Sequence, residues 1–100
     1  FQRATDAYIG LPYNIASYAL LLHMLGQVTG LVPYELIHTS SDAHIYTINI
    51  DAARLQLTRS PKPKPRLVLN TSVSDIFTFR ISDISLIGYE SHPPIKSPVA

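Results

Sequence analysis

One hundred residues, 46% hydrophobic and 15% charged, describe a globular chain rather than a disordered one, short enough to hold a single domain at most. Eight Lys and Arg against seven Asp and Glu leave a net charge of +1, and with no basic run this excludes the electrostatic footprint of a nucleic-acid binder. The absence of cysteine excludes a disulfide framework, a zinc ribbon and a thiol nucleophile within these residues, and it fits a cytoplasmic protein.

The chain opens on Phe1-Gln2-Arg3 with no initiator Met, signal peptide or transit pattern, as expected of a piece of something longer or of a processed chain. From Ala7 to Tyr34 there is no Asp, Glu, Lys or Arg, which raises the question of a membrane span. The apolar run inside that window reaches only from Ile15 to Leu25, with Ser17 and His23 interrupting it. A spanning helix needs about 20 apolar residues, so a core helix is the expectation.

Arg3 to Gly10 reads as the end of a strand or a short connection. Pro12 suits the first turn of a helix, where its missing N–H is harmless. The helix is expected to run to about Val28 and stop near Gly30, with Pro33 beyond. Its apolar residues (Ile15, Ala16, Ala19, Leu20, Leu22, Met24, Leu25, Val28) cover most of its circumference, so it should be enclosed on nearly all sides. A chain of this size struggles to provide that enclosure, and a further segment or a partner is expected to supply it.

Leu36-Ile37-His38 and His44-Ile45-Tyr46 are β-favouring runs around a polar Ser40-Ser41-Asp42. Asp51 to Arg59 has helical spacing, with an acid near its start and basic residues towards its end that suit the helix dipole. Ser60 to Pro65 is a proline-rich connector. Arg66 to Asn70 is a short strand, Asp75 to Asp83 a short helix or turn region, and Ile84 to Tyr89 alternates like a strand. The expected class is α+β: one long buried helix packed against a mixed β-sheet.

Residue chemistry taken without context is sparse. His38 and His44 near Asp42 offer two imidazoles and a carboxylate, but no third His is close and the spacing fixes no metal geometry. Any Ser/His/Asp set assembled from the chain carries no meaning without geometry, and His23 in the helix is more often a core residue than a ligand.

Longer words of sequence carry more. Gln2-Arg3-Ala4-Thr5-Asp6, then Gly10-Leu11-Pro12-Tyr13-Asn14-Ile15-Ala16-Ser17-Tyr18-Ala19-Leu20-Leu21, resembles the thymidylate synthase pattern QRSxDxxLGxPFNIASYALL. Asp42-Ala43-His44-Ile45-Tyr46 resembles that family's GDxHxY segment, and Ser60-Pro61-Lys62-Pro63 its proline connector. The close of the chain, Gly88-Tyr89-Glu90-Ser91-His92-Pro93 and Ile95-Lys96-Ser97-Pro98-Val99-Ala100, resembles GYxPHPxIKxPVA. The words stand in family order from Phe1 to Ala100, so the resemblance covers the whole chain as the C-terminal part of one thymidylate synthase domain.

The resemblance implies reductive methylation of dUMP to dTMP with 5,10-methylenetetrahydrofolate and no metal. It implies a cysteine that adds to C6 of the uracil, lying upstream of Phe1, so that this chain alone is expected to be inactive. Arg3 would hold the nucleotide phosphate through paired guanidinium bonds, with Ala4, Thr5 and Asp6 beside it on the dUMP site. Asn14 would read the base, its oxygen accepting from N3–H and its NH₂ donating to O4. A site built on such bonds rejects cytosine strongly, and Asn here argues against a dCMP hydroxymethylase, which carries Asp. His44 and Tyr46 would clamp the deoxyribose 3′-hydroxyl. Asp6, Ile9, Gly10, Tyr13 and Ala100 would form the folate side.

The sequence departs from the family pattern in places. Ala4 stands where Ser is usual and removes a hydroxyl from the phosphate site. Ser41 and Tyr34 replace common glycines, and the aliphatic residue that follows Ala100 in the family is not in this sequence. The resemblance further implies a cytoplasmic homodimer that binds dUMP and folate, with no membrane or nucleic-acid partner; a complementary N-terminal chain would supply the nucleophile if the protein is divided. The alternatives are a dUMP hydroxymethylase of the same superfamily, which Asn14 does not separate from the synthase, and a non-catalytic fragment or assembly partner.

Overall fold

The computed structural model describes residues 1–100, and the chain divides into two compact units. The first comprises residues 1–17, 37–61 and 92–100 and the second residues 18–36 and 62–91. Helix α1 (Gly10–Thr29) begins in the first and ends in the second.

In the first unit β1 (Gln2–Asp6) pairs in parallel with β2 (Ser40–His44). Parallel neighbours need a crossover between them, and α1 lies on that crossover. The register sets Gln2 opposite Ser40, Ala4 opposite Asp42 and Asp6 opposite His44. Two backbone bonds continue the ladder past the strand ends, Gln2 N–H to Thr39 O and Ala7 N–H to His44 O, both 2.8 Å. Asp6 then turns the chain into the helix: its Oδ1 accepts from the N–H groups of Tyr8 at 3.1 Å and Ile9 at 3.2 Å. These are donors that the start of a helix would otherwise leave unpaired. Pro12 sits in the first turn, as its chemistry predicts.

After β2 the chain makes a short 3₁₀ turn (Thr47–Asn49) and enters α2 (Ile50–Leu57). Asp51 in its first turn and Arg54 in its last match the helix dipole. The closing segment lies along this part of the chain. Asn49, which is fully buried, donates from Nδ2 to Ser97 Oγ at 2.6 Å and to Pro98 O at 2.7 Å. Arg59 Nη1 donates to Pro93 O at 2.7 Å, and His92 Nε2 donates to Ser60 O at the same distance.

In the second unit α1 ends with the bonding of a Schellman cap. Leu31 N–H reaches Gly26 O at 3.0 Å, Gly30 N–H approaches Gln27 O at 3.4 Å, and Gly30 has φ +71°. Strands β3 (Arg66–Leu69) and β4 (Ile84–Ile87) form an antiparallel pair, with Leu67 opposite Leu86. Two 3₁₀ turns, Ile76–Thr78 and Ile81–Asp83, precede β4. Gln27 ties the helix to the end of β3, donating to Asn70 O at 2.9 Å and Val73 O at 2.8 Å.

Three expectations change. The sheet is not one mixed sheet but two separate two-stranded ones, one parallel and one antiparallel. Ser40-Ser41-Asp42 is not a turn between strands: it lies within β2, and Leu36–His38 lies outside regular structure. The reason is pairing. A polar triplet becomes a strand when β1 offers a ladder, whereas the apolar run before it has no neighbour to bond.

The helix is long, but it is not buried. Within it only Gly26 is buried, while Ile15, Tyr18, Leu21 and Leu25 are exposed at spacings of three and four residues, one face of a helix. No hydrophobic side chain anywhere in the chain is fully buried. The apolar circumference of α1 calls for more cover than these residues contain. No helix is long and apolar enough to cross a membrane.

Two outcomes test the second unit. A Cβ on Gly26 would lie 2.8 Å from Leu31 O and 3.0 Å from Pro33 Cδ; Gly26→Ala is therefore expected to destabilise by about 1–3 kcal/mol, measured by denaturant unfolding. Asp83 accepts from Asn70 Nδ2 at 2.9 Å and Arg80 N–H at 2.8 Å, and these bonds hold its pKa below the usual 3.8. A depressed carboxylate contributes stability that is full above its unfolded pKa and is lost as pH falls through the folded one. Unfolding followed from pH 5 to pH 2 should show Asp83→Asn losing less stability than the wild type.

Candidate functional site

The residues singled out from sequence gather where β1 ends and α1 begins. Asp6 closes β1 opposite His44, the last residue of β2. Gly10 opens α1 so close by that an added Cβ would stand 3.4 Å from Asp6 Cβ and 3.7 Å from Asn14 Oδ1. Asn14, one turn further along, accepts at Oδ1 from Gln2 Nε2 at 3.2 Å. Strand pairing and the first helical turn thus bring Asp6, Gly10, Asn14 and His44 into one neighbourhood, although the sequence separates them by up to 38 residues.

Each group is left with a chemical capacity. Asp6 spends Oδ1 on the turn into the helix, while its other oxygen makes no hydrogen bond within the chain. Arg3 lies between the Gln2–Ser40 and Ala4–Asp42 pairs, is exposed, and forms no ion pair, so its guanidinium is available to an anion. Thr5 is the opposite case. It is fully buried and its hydroxyl donates to Ser40 Oγ at 3.1 Å, which makes it a structural support of β1 rather than an exposed phosphate ligand. Ala4 is exposed, and its carbonyl accepts from Gln2 Nε2 at 2.9 Å.

His44 and Tyr46 form a unit. Their rings meet edge to face with centroids 5.1 Å apart and an interplanar angle of 82°. Tyr46 lies outside β2 and precedes the 3₁₀ turn, but its backbone is still extended, φ −66° and ψ 141°. The two side chains therefore stay close, as their spacing predicts. His44 Nδ1 lies 3.1 Å from Asp42 O, and a carbonyl can only accept, so Nδ1 carries the proton. The Asp42 carboxylate, 3.7 Å from the same nitrogen, reinforces that choice. Nε2 is then the ring nitrogen left to accept a hydrogen bond.

The remaining candidates are less gathered. Ile9 is half-buried at the turn into α1 with its N–H bound to Asp6, whereas Tyr13 is 76% exposed on the helix. Ala100 is exposed, and the nearest anchors of its segment are the bonds of Asn49 to Ser97 and Pro98. Among His, Cys, Asp and Glu side chains, no group of three or more comes together in a way that could hold a metal ion.

Two sets of residues escaped the reading of sequence. Gln2, His38 and Ser40 form a polar chain that ends on Asn14. A histidine considered as a metal ligand turns out to hydrogen-bond a glutamine 36 residues away. Asn49 anchors the closing segment, and its one signal in sequence is a polar residue between Ile48 and Ile50. Its Oδ1 is buried without a partner.

The motifs of β1, the start of α1 and the end of β2 thus meet in one neighbourhood, whereas the closing segment is anchored at Asn49. The family model described as thymidylate synthase matches residues 1–100, the full extent of the chain. The chain belongs to the thymidylate synthase family.

Proposed function

We propose that these residues form part of the dUMP site, and part of the folate site, of a thymidylate synthase that converts dUMP to dTMP. One observation carries the reading: the parallel β1–β2 pair sets Asp6 beside His44 while the first turn of α1 brings Asn14 to the same place. Arg3 binds the phosphate through a guanidinium that no acidic side chain of the chain neutralises. Asn14 reads the uracil, since Oδ1 retains a second lone pair for N3–H beyond the bond from Gln2, and Nδ2 donates to O4. Nε2 of His44 and the phenol of Tyr46 clamp the 3′-hydroxyl.

Ala4 and Thr5 shape the strand that carries Arg3 and contribute backbone groups rather than hydroxyls to the phosphate. The folate faces the free oxygen of Asp6, the close backbone approach at Gly10 and the exposed ring of Tyr13, with Ile9 and the segment ending at Ala100 alongside. These groups suit a flat heterocycle: a carboxylate for its N–H donors, an exposed aromatic face, and no side chain at Gly10 to obstruct approach. Methylenetetrahydrofolate, when bound, supplies the one-carbon unit and the hydride that reduces it.

No residue among these hundred can add to C6 of the uracil as a thiolate, since cysteine is absent. The proposal therefore places the nucleophile on a segment N-terminal to Phe1 of the same polypeptide, or on a complementary chain. The same remainder, within a homodimer, covers the stripe Ile15, Tyr18, Leu21 and Leu25. Uncovered, such a stripe would be an unusually apolar surface.

Two measurements check this. In the full-length enzyme Asn14→Asp is expected to move the ratio of kcat/KM for dUMP and dCMP towards dCMP by at least about a hundredfold, as expected where a wrong base leaves buried polar groups unpaired; an unchanged ratio removes base reading from Asn14. The purified 100-residue chain is expected to form no dTMP from dUMP and methylenetetrahydrofolate, and product above the no-enzyme rate would overturn the placement of the nucleophile.

A further inference from the structure

The polar chain that ends on Asn14 has a definite sense, and one backbone carbonyl fixes it. Ala4 O can only accept, so the end of the Gln2 amide 2.9 Å from it must be the NH₂. The same nitrogen lies 3.2 Å from the Asn14 amide, so the Asn14 atom facing it must be the oxygen. The other end of Gln2, Oε1, lies 3.1 Å from His38 Nε2. An amide oxygen cannot donate, so Nε2 carries the proton and Nδ1 has the lone pair. Ser40 Oγ, 3.4 Å from Nδ1, donates to it and itself accepts from the buried Thr5 hydroxyl at 3.1 Å. All the bonds from Thr5 through Ser40, His38 and Gln2 to Asn14 then run in one direction, with no donor facing a donor.

We infer that His38 and Gln2 are specificity-positioning residues that lock the amide of Asn14 in the sense that reads uracil. The inference rests on the base-reading role proposed for Asn14. Cytosine presents an acceptor at N3 and a donor at its 4-amino group, the reverse of uracil. Asn14 could meet that pattern by rotating its amide half a turn, which exchanges two groups of nearly equal size and has little steric cost. The polar chain supplies the cost. A rotated Asn14 points Nδ2 at Gln2 Nε2, donor against donor at 3.2 Å. Gln2 cannot relieve this by rotating in turn, because its oxygen would then face Ala4 O and its NH₂ would face the His38 N–H. His38 could answer by moving its proton to Nδ1, where the Ser40 hydroxyl can turn to accept it, but the Gln2 oxygen would still face the Ala4 carbonyl. Accommodating cytosine thus requires the whole chain to reverse, against a carbonyl that cannot.

Removing the His38 donor frees Gln2 to tilt away and lets Asn14 turn. The test measures the ratio of dissociation constants for dUMP and dCMP in the full-length enzyme by titration calorimetry. His38→Phe keeps an aromatic ring but donates nothing, and it should reduce discrimination roughly five- to tenfold, the size of one neutral hydrogen bond. His38→Gln places a carboxamide NH₂ near the position of Nε2 and should restore most of the wild-type ratio. Equal weakening of both nucleotides by His38→Phe, with the ratio unchanged, would mean that His38 serves only the packing and would overturn the inference. So would a His38→Gln protein no more selective than His38→Phe.

Should His38→Phe fail to fold, the wild-type ring answers the question. Its ¹⁵N shifts should report a protonated Nε2 and an unprotonated Nδ1, and the opposite tautomer would refute the chain as drawn. Asn14→Asp in the same assay separates the two levels. If it shifts the ratio and His38→Phe does not, the positioning role alone is wrong; if Asn14→Asp shifts nothing, base reading itself fails.

Discussion

The parallel pairing of β1 with β2 is the constraint on which the site depends. A parallel pair cannot be closed by a tight turn, so the chain must leave β1, travel and return. It leaves through the turn that Asp6 caps, into a helix whose first residues pass close to the strand they have just left. It returns along β2 in a register that places His44 opposite Asp6. Every group proposed for the nucleotide lies on β1, on the first turns of α1, or at and just beyond the end of β2. A one-residue slip of β2 would set Ala43 or Ile45 opposite Asp6 and carry the His44–Tyr46 pair out of reach.

Two amino-acid types perform double work around this pairing. Asp6 holds the N–H groups of Tyr8 and Ile9 through one oxygen and leaves the other unbonded within the chain. Histidine appears in two tautomers for two tasks. His44 carries its proton on Nδ1 because a carbonyl lies there, which leaves Nε2 as the acceptor of the ring. His38 carries it on Nε2 because an amide oxygen lies there, which passes the polarity of the chain on to Asn14. In each case the neighbour of one ring nitrogen decides what the other can do.

The lack of a core within these residues has the same physical origin as the shape of α1. A helix that is apolar on most of its circumference needs partners on most of its sides. The strands available here are short and paired in twos. What holds the segments in place is largely polar: the bonds of Gln27 to Asn70 and Val73, of Asn49 to Ser97 and Pro98, and the Asp83–Asn70 contact. Each is modest by itself, at about 1 kcal/mol net. They position chain segments without supplying the burial that drives folding.

The sequence by itself determined the family, the long helix opened by Pro12 and closed at Gly30, the second helix and the strands at Arg66 and Ile84, because these rest on local chemistry: proline at a helix start, glycine at a positive φ, alternation in a strand. Through the resemblance it also singled out Arg3 and Asn14, whose guanidinium and amide suit a phosphate and a base. Tertiary structure alone decided that Ser40-Ser41-Asp42 is a strand, because a polar segment gains that conformation only from the ladder β1 provides. It alone decided that the helix stands exposed, since periodicity shows that a face is apolar and never what covers it. It alone linked His38 to Gln2 and Gln2 to Asn14, because the direction of a hydrogen bond depends on which atoms meet, and residues 36 apart meet only once the chain has folded.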